Sequence, residues 1–171
     1  IVASAVASAD GRRRTFGGLA VIVGVWTLDA LVEAAIDTSP LFWMIDHAKQ
    51  VISGHSMCTL DEVAAADRLS GVLGPCNLKL GIVLASLSPF ALDAAGRRYG
   101  RLGWFATAAL IGLVVLLAGS RASWLTYGLV LAWTGWRTLG GKRLLAVFGL
   151  GVALLLVAAL VSPPVAERLD G

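Results

Sequence analysis

The sequence predicts an all-α fold: a polytopic transmembrane helical bundle of about five spans, with a helical loop on its outer side. Three observations predict it: a shortage of charge, a succession of long apolar runs, and basic residues gathered into alternate connections. Of the 171 residues, 57% are hydrophobic and 15% are charged, and the mean hydropathy is +0.80. A soluble domain usually carries about a quarter charged residues, so lipid is the expected solvent.

A bilayer core about 30 Å thick asks for roughly 20 mostly apolar residues per helix. The first expected span runs from Phe16 to about Ala35, with Asp29 and Glu33 near its far end. The second runs from Leu78 to about Ala95 and the third from Leu102 to Gly119. The fourth, about Ser123 to Trp136, is short, and the fifth runs from Leu144 to Val161. Runs this close together leave no polar faces to meet water. The whole of 1–171 reads as a single transmembrane domain and, since it opens on Ile1 rather than Met, as an internal piece of a longer protein. Ile1 to Ala9 then reads as the tail of an earlier span; no basic stretch precedes it, as a signal peptide would require.

Charge orients these spans. Arg12, Arg13, Arg14, Arg97, Arg98, Arg101, Arg137, Lys142 and Arg143 fall in one set of connections, accompanied by Asp10 and Asp93 alone. The opposite set holds Lys49, Arg68, Lys79, Arg121 and Arg168 against nine acidic residues. Alternating spans put every basic cluster on one side, and the positive-inside rule makes that side cytoplasmic. The net charge of +3 is therefore a topology signal and not a nucleic-acid footprint.

The outer loop, residues 36–77, is expected to be helical in part. Ser39 and Pro40 suit an N-cap and a first helical position. Leu41, Met44, Ile45, Ala48 and Ile52 follow at helical spacing, as in a helix lying at the membrane surface. Thr59 and Glu62 have the spacing of a capping box for a second short helix, expected to carry Arg68 near its end and to stop at Gly71. Gly74 and Pro75 then turn the chain back towards the membrane.

The outer cations are the candidate chemical groups. Arg121 lies in the short hairpin between the third and fourth spans, among the small residues Gly119, Ser120 and Ala122. A guanidinium there is either a snorkelling anchor or an anion ligand, since its planar fork matches phosphate oxygens. Arg68 and Lys79 either face the same anion or are a solvated loop arginine and an interfacial lysine. Asp29 and Glu33 stand one turn apart, as helix-end carboxylates or as a general base. Cys58 and Cys76, in an oxidising outer compartment, are expected to form a disulfide. No metal site is expected, for His47 and His55 lack a metal-ligand spacing, and a zinc set with the two cysteines is the weaker reading. The Trp residues lie mostly near span ends, where aromatic belts form, with Trp133 deeper. There is no Walker motif, GxGxxG, GxSxG or DxD pair.

Two segments together resemble a known family. Arg68, Gly71, Asn77 and Gly81 are similar to the R-x-x-G … N … G element with which the O-antigen ligase and O-antigen polymerase family enters a span. Ser120, Arg121, Ala122 and Trp124 resemble its S-R-[GA]-x-W hairpin, in the same order and with one basic inner loop between them. The resemblance covers about Arg68 to Val161. It implies a multi-pass glycosyltransferase of the bacterial inner membrane, working at the periplasmic face without a metal or other cofactor. Its donor would be a glycan on undecaprenyl diphosphate and its acceptor lipid A-core, or, in a polymerase, another lipid-linked repeat unit. Arg121 matches the arginine that binds the diphosphate. The family's further arginine and histidine lie in a later periplasmic loop, beyond Gly171, so the fragment is expected to be incomplete for catalysis, and that histidine is not carried over to His47 or His55. A transporter-like relative, such as a bicarbonate-transport-associated membrane protein, is the alternative of another class. It would be expected to show broken helices or mid-membrane charges.

Overall fold

The structure is a computed structural model that describes residues 8–64 and 69–140. All regular elements among these residues are helical. The chain divides into a unit ending at Thr134 and a second, Gly135–Gly171, of which residues 135–140 are described. The fifth expected span, Arg68, Lys142, Arg143 and Arg168 lie outside the described residues.

The first helix, α1, spans Ala9–Ile36 and begins earlier than expected, because Ser8 caps it. The Ser8 hydroxyl accepts from the Gly11 amide at 2.9 Å, which satisfies one of the amides a helix start leaves open. Val23, Thr27, Asp29 and Ala30 form its buried stripe. Large apolar residues elsewhere on it face outwards, among them Val21 and Leu28.

The described residues of the expected outer loop, 36–77, form two helices and a turn. α2 spans Pro40–Ser53, with Ser39 as N-cap, Pro40 in the first turn and Gly54 in the left-handed conformation at its end. α3 spans Leu60–Ala64. The expected capping box is present there: Glu62 accepts from the Thr59 amide at 2.9 Å, and the Glu62 amide donates to the Thr59 hydroxyl at 3.3 Å. The chain from Gly71 is not a helix stop but a separate 3-10 turn, Gly71–Leu73. Gly71 and Gly74 both have positive φ and are closely covered. A Cβ on Gly74 would run into the Phe42 ring, and one on Gly71 into Leu80.

α4 spans Leu80–Leu117 and contains the second and third expected spans. It is not one rod. Gly100 has φ 66° and ψ −153°, a conformation open to glycine and costly for other residues. Around it the chain folds back: the Cβ position of Gly96 is 3.6 Å from Trp104, and that of Gly81 is 3.0 Å from the Ala118 methyl. Residues eight apart on a straight helix are about 12 Å apart along the axis, so α4 is a hairpin with arms on either side of Gly100. Pro89 interrupts the first arm by removing the amide that would pair with the Ala85 carbonyl. The Ser88 hydroxyl donates to that carbonyl at 2.7 Å instead. The final described helix, α5, spans Arg121–Leu139.

Leu80, Leu84, Ala85, Ala91, Ile111, Val114 and Val115 of α4 form a core with Val23 and Ala30 of α1 and Tyr127 of α5. Small residues let the backbones approach: Gly112 sits 3.2 Å from the Tyr127 ring at its Cβ position, the kind of contact that joins helices in lipid. Leu125 and Leu129 are each 73% exposed, surface that suits acyl chains better than water.

Two helices, α1 and α4, are long and apolar enough to cross a membrane, fewer than the five spans expected. The difference has physical causes. The back-folded α4 takes up two of the expected segments as one helix. α5 begins and nearly ends on arginine and carries Trp124, Tyr127, Trp133 and Trp136 with several threonines, which lowers its hydropathy. The fifth segment is among the residues not described.

Candidate functional site

The end of the α1–α4 pair that carries the 36–77 loop is built around carboxylates. Asp29, buried in α1, accepts from the Ser39 hydroxyl at 2.6 Å and from the Leu41 amide at 3.0 Å. It thereby ties the start of α2 to the end of α1, and its negative charge suits a helix N-terminus. Glu33, one turn on, accepts from the Ser70 amide and hydroxyl and from the Gly71 amide, anchoring the 3-10 turn. Both oxygens of each carboxylate are therefore committed to holding the loop. This is the helix-end role of the two alternatives raised by their spacing, with more specific partners than spacing alone provides.

Asp46 was not singled out in the sequence, yet it is the hub of the loop. It is 1% exposed, and it accepts from Gln50 at 2.9 Å, from the Ser56 hydroxyl at 3.0 Å and from the Met57 amide. The Met57 amide holds its carboxyl below the usual range, helped by Ser56, Gln50 and the charge of Lys49, while burial opposes the shift. The sequence signal was slight: an acid on the apolar side of an amphipathic helix, with a Gly-His-Ser turn to follow.

Cys58 and Cys76 are joined in a disulfide with Cα atoms 5.5 Å apart. Both sulfurs are thus unavailable to a metal, and no group of three or more His, Cys, Asp and Glu side chains suited to a metal occurs among the described residues. The bridge fixes the chain just before Lys79, the N-cap of α4.

At that point the two family-like segments meet. A Cβ on Gly81 would stand 2.7 Å from the Ser123 hydroxyl oxygen and 3.0 Å from the Ala118 methyl. Ser123 is buried, and its hydroxyl has no hydrogen-bond partner among the described residues. Trp124 donates its indole N–H back to the Val115 carbonyl at 3.1 Å, and Tyr127 donates to the Ala108 carbonyl at 2.6 Å. These bonds hold the start of α5 against α4, with Gly119 making the turn at φ 67°. Lys79 and Arg121 each lie two residues from the Gly81–Ser123 contact and are exposed. Neither side chain has a hydrogen bond or ion pair among the described residues. Both sit at helix N-termini, where the backbone already contributes positive potential. Arg68, the third expected cation, lies outside the described residues.

A cavity of ≈ 350 Å³ opens between the end of α1, α2 and the 3-10 turn, lined by Glu33, Asp37, Phe42, Trp43, Ser70 and Pro75 among others. Neither Arg121 nor Lys79 lines it, and its carboxylates do not suit an anion. His47 and His55 are exposed on the loop and line neither this cavity nor the Gly81–Ser123 contact. No family model matches the chain, and no curated protein or solved structure matches it.

Proposed function

We propose that this protein is a multi-pass glycosyltransferase of the bacterial inner membrane. It would move a glycan from undecaprenyl diphosphate to an acceptor at the periplasmic face, most specifically O-antigen to lipid A-core. The observation that carries the reading is the close approach of Gly81 to Ser123. It brings the Asn77–Gly81 segment and the Ser120–Trp124 hairpin to one point, with Lys79 and Arg121 on either flank. Two cations at two helix N-termini, with no carboxylate paired to either among the described residues, make a place where an anion is stabilised.

In this reading the acceptor hydroxyl attacks the anomeric carbon and the bond from that carbon to the diphosphate oxygen breaks. The diphosphate leaves carrying the electron pair, and the hydroxyl proton passes to a base outside the described residues. Arg121 meets the growing charge with its forked donors and Lys79 adds a point charge, which is electrostatic stabilisation of a leaving group. Arg68 is assigned to the same anion by its place in the family-like segment. No cofactor takes part. A polymerase would differ in acceptor and not in this part of the machinery.

The test is transfer by the full-length protein in membranes bearing lipid-linked glycan. Arg121→Ala should abolish transfer with protein level and topology unchanged. Arg121→Lys should retain little activity, because an ammonium keeps the charge and loses the two-pronged fit. Near wild-type transfer by Arg121→Lys would make this residue a headgroup anchor, since snorkelling requires only a charge on a long stem.

A further inference from the structure

A second cavity, of ≈ 380 Å³, lies at the opposite end of the α1–α4 pair, and the transfer reading makes no use of it. It is lined by Arg13 and Phe16 of α1 and by Phe90, Asp93, Arg97 and Arg98 of α4. Its two halves differ in chemistry. Phe16 and Phe90 meet with ring centroids 5.0 Å apart and form an apolar floor. Gly17, which also lines the cavity, presents no side chain, and nothing stands within 4 Å of where its Cβ would be. The rim is cationic. Asp93 is neutralised within its own helix by Arg97, at 2.7 Å. That leaves Arg13 without an ion pair among the described residues and Arg98 with its guanidinium 5.6 Å from the Tyr99 ring.

We infer that this cavity is a binding site for an anionic phospholipid, with the phosphodiester at the Arg13–Arg98 rim and an acyl chain along the Phe16–Phe90 floor. Guanidinium groups are donors only and phosphodiester oxygens acceptors only, so the rim and the headgroup are complementary. A free phosphate would use the rim but leave the floor uncovered, which favours the lipid as the source of the anion. Basic pockets between helices on the cytoplasmic side are suited to such headgroups. The site does not depend on the transfer reading; it rests on the cavity and its charges.

Native mass spectrometry of the full-length protein, stripped in detergent and titrated with cardiolipin, phosphatidylglycerol or phosphatidylethanolamine, tests the inference. Each basic residue near an anionic headgroup contributes about a fivefold effect, so Arg13→Gln with Arg98→Gln should weaken cardiolipin retention roughly 25-fold. Lys49→Gln with Arg137→Gln, which removes as much charge elsewhere, should leave it unchanged. If the glutamine pair fails to fold, Arg13→Lys with Arg98→Lys replaces it and should weaken retention about fivefold by losing the forked donors. Equal loss in the control pair, unchanged retention in the lysine pair, or equal retention of phosphatidylethanolamine would overturn the site. Displacement of the lipid by millimolar inorganic phosphate would overturn the lipid as its ligand. Transfer activity is not part of the readout, so failure here and failure of Arg121→Lys are separate results.

Discussion

Gly81 of α4 and Ser123 of α5 approach so closely that no side chain fits between them: a Cβ on Gly81 would stand 2.7 Å from the serine hydroxyl oxygen. Forty-two positions separate the two residues in sequence, and their contact sets where the starts of both helices lie.

That contact makes Gly81→Ala a sharp probe. The added methyl meets the Ala118 methyl at 3.0 Å and the Ser123 Cβ at 3.1 Å, both fixed to the backbone, and overpacking of this kind costs about 1–3 kcal/mol. Thermal unfolding in detergent should show the loss, and transfer should fall with it. Gly24→Ala, on a face of α1 where nothing lies within 4 Å, should be neutral or slightly stabilising because alanine favours the helix.

Glu33→Ala should loosen the outer loop, since it strands the amides of Ser70 and Gly71, at about 1–3 kcal/mol for donors left without partners. Limited proteolysis should then cut near residues 69–75. Glu33→Gln keeps a carbonyl acceptor and should keep most of the transfer activity. A stable but inactive Glu33→Gln protein would instead make this carboxylate a general base.

The loop should also be acid-sensitive through Asp46. Its folded-state carboxyl titrates below the usual value because the Met57 amide, Ser56 and Gln50 favour the ionised form. A lowered pKa contributes stability above the ordinary carboxylate value, and that stability is lost as pH falls through the folded value. Protection of the Met57 amide from hydrogen exchange, taken relative to the intrinsic rate at each pH, should therefore be high at neutral pH and fall in acid below the ordinary value. Asp46→Asn should exchange faster at neutral pH, with a flatter acid response. An unchanged acid response in that variant would remove Asp46 as the cause.

Orientation is open to thiol labelling in a Cys58→Ser, Cys76→Ser background. Tyr99→Cys, beside the basic turn at Gly100, should be shielded from an impermeant reagent in intact cells, and His55→Cys should react. Both side chains are exposed, and neither replacement disturbs Gly100, whose φ of 66° would strain a cysteine. Labelling of position 99 from outside would reverse the sidedness and move the Arg121 rim to the cytoplasm.

Local signals in the sequence carried much of this architecture. Ser39–Pro40 and the Thr59–Glu62 spacing marked helix starts because caps act over three or four residues. The apolar runs marked α1 and both arms of α4 because lipid rewards length and composition. What stayed hidden were partners distant in sequence. Asp29 bonds residues ten and twelve positions on, Glu33 reaches Ser70, and Asp46 reaches Met57; no periodicity encodes such pairings. The disulfide was foreseeable from the cysteine count and the placement expected of the loop, whereas the exclusion of Lys79 and Arg121 from the carboxylate-lined cavity was not. Such an exclusion depends on where the loop settles.

Every described fastener of the outer loop, from Asp29 to the Cys58–Cys76 bridge, lies upstream of Leu80, where α4 begins. During synthesis the whole cap can therefore assemble on α1 while α4 has yet to leave the ribosome. Thiol oxidation between Cys58 and Cys76 would mark completion of that step, so a pulse-labelled nascent chain stalled shortly after α4 should already carry the bridge. The later hairpin would then insert beside a finished partner, with Gly71 already in place to receive Leu80.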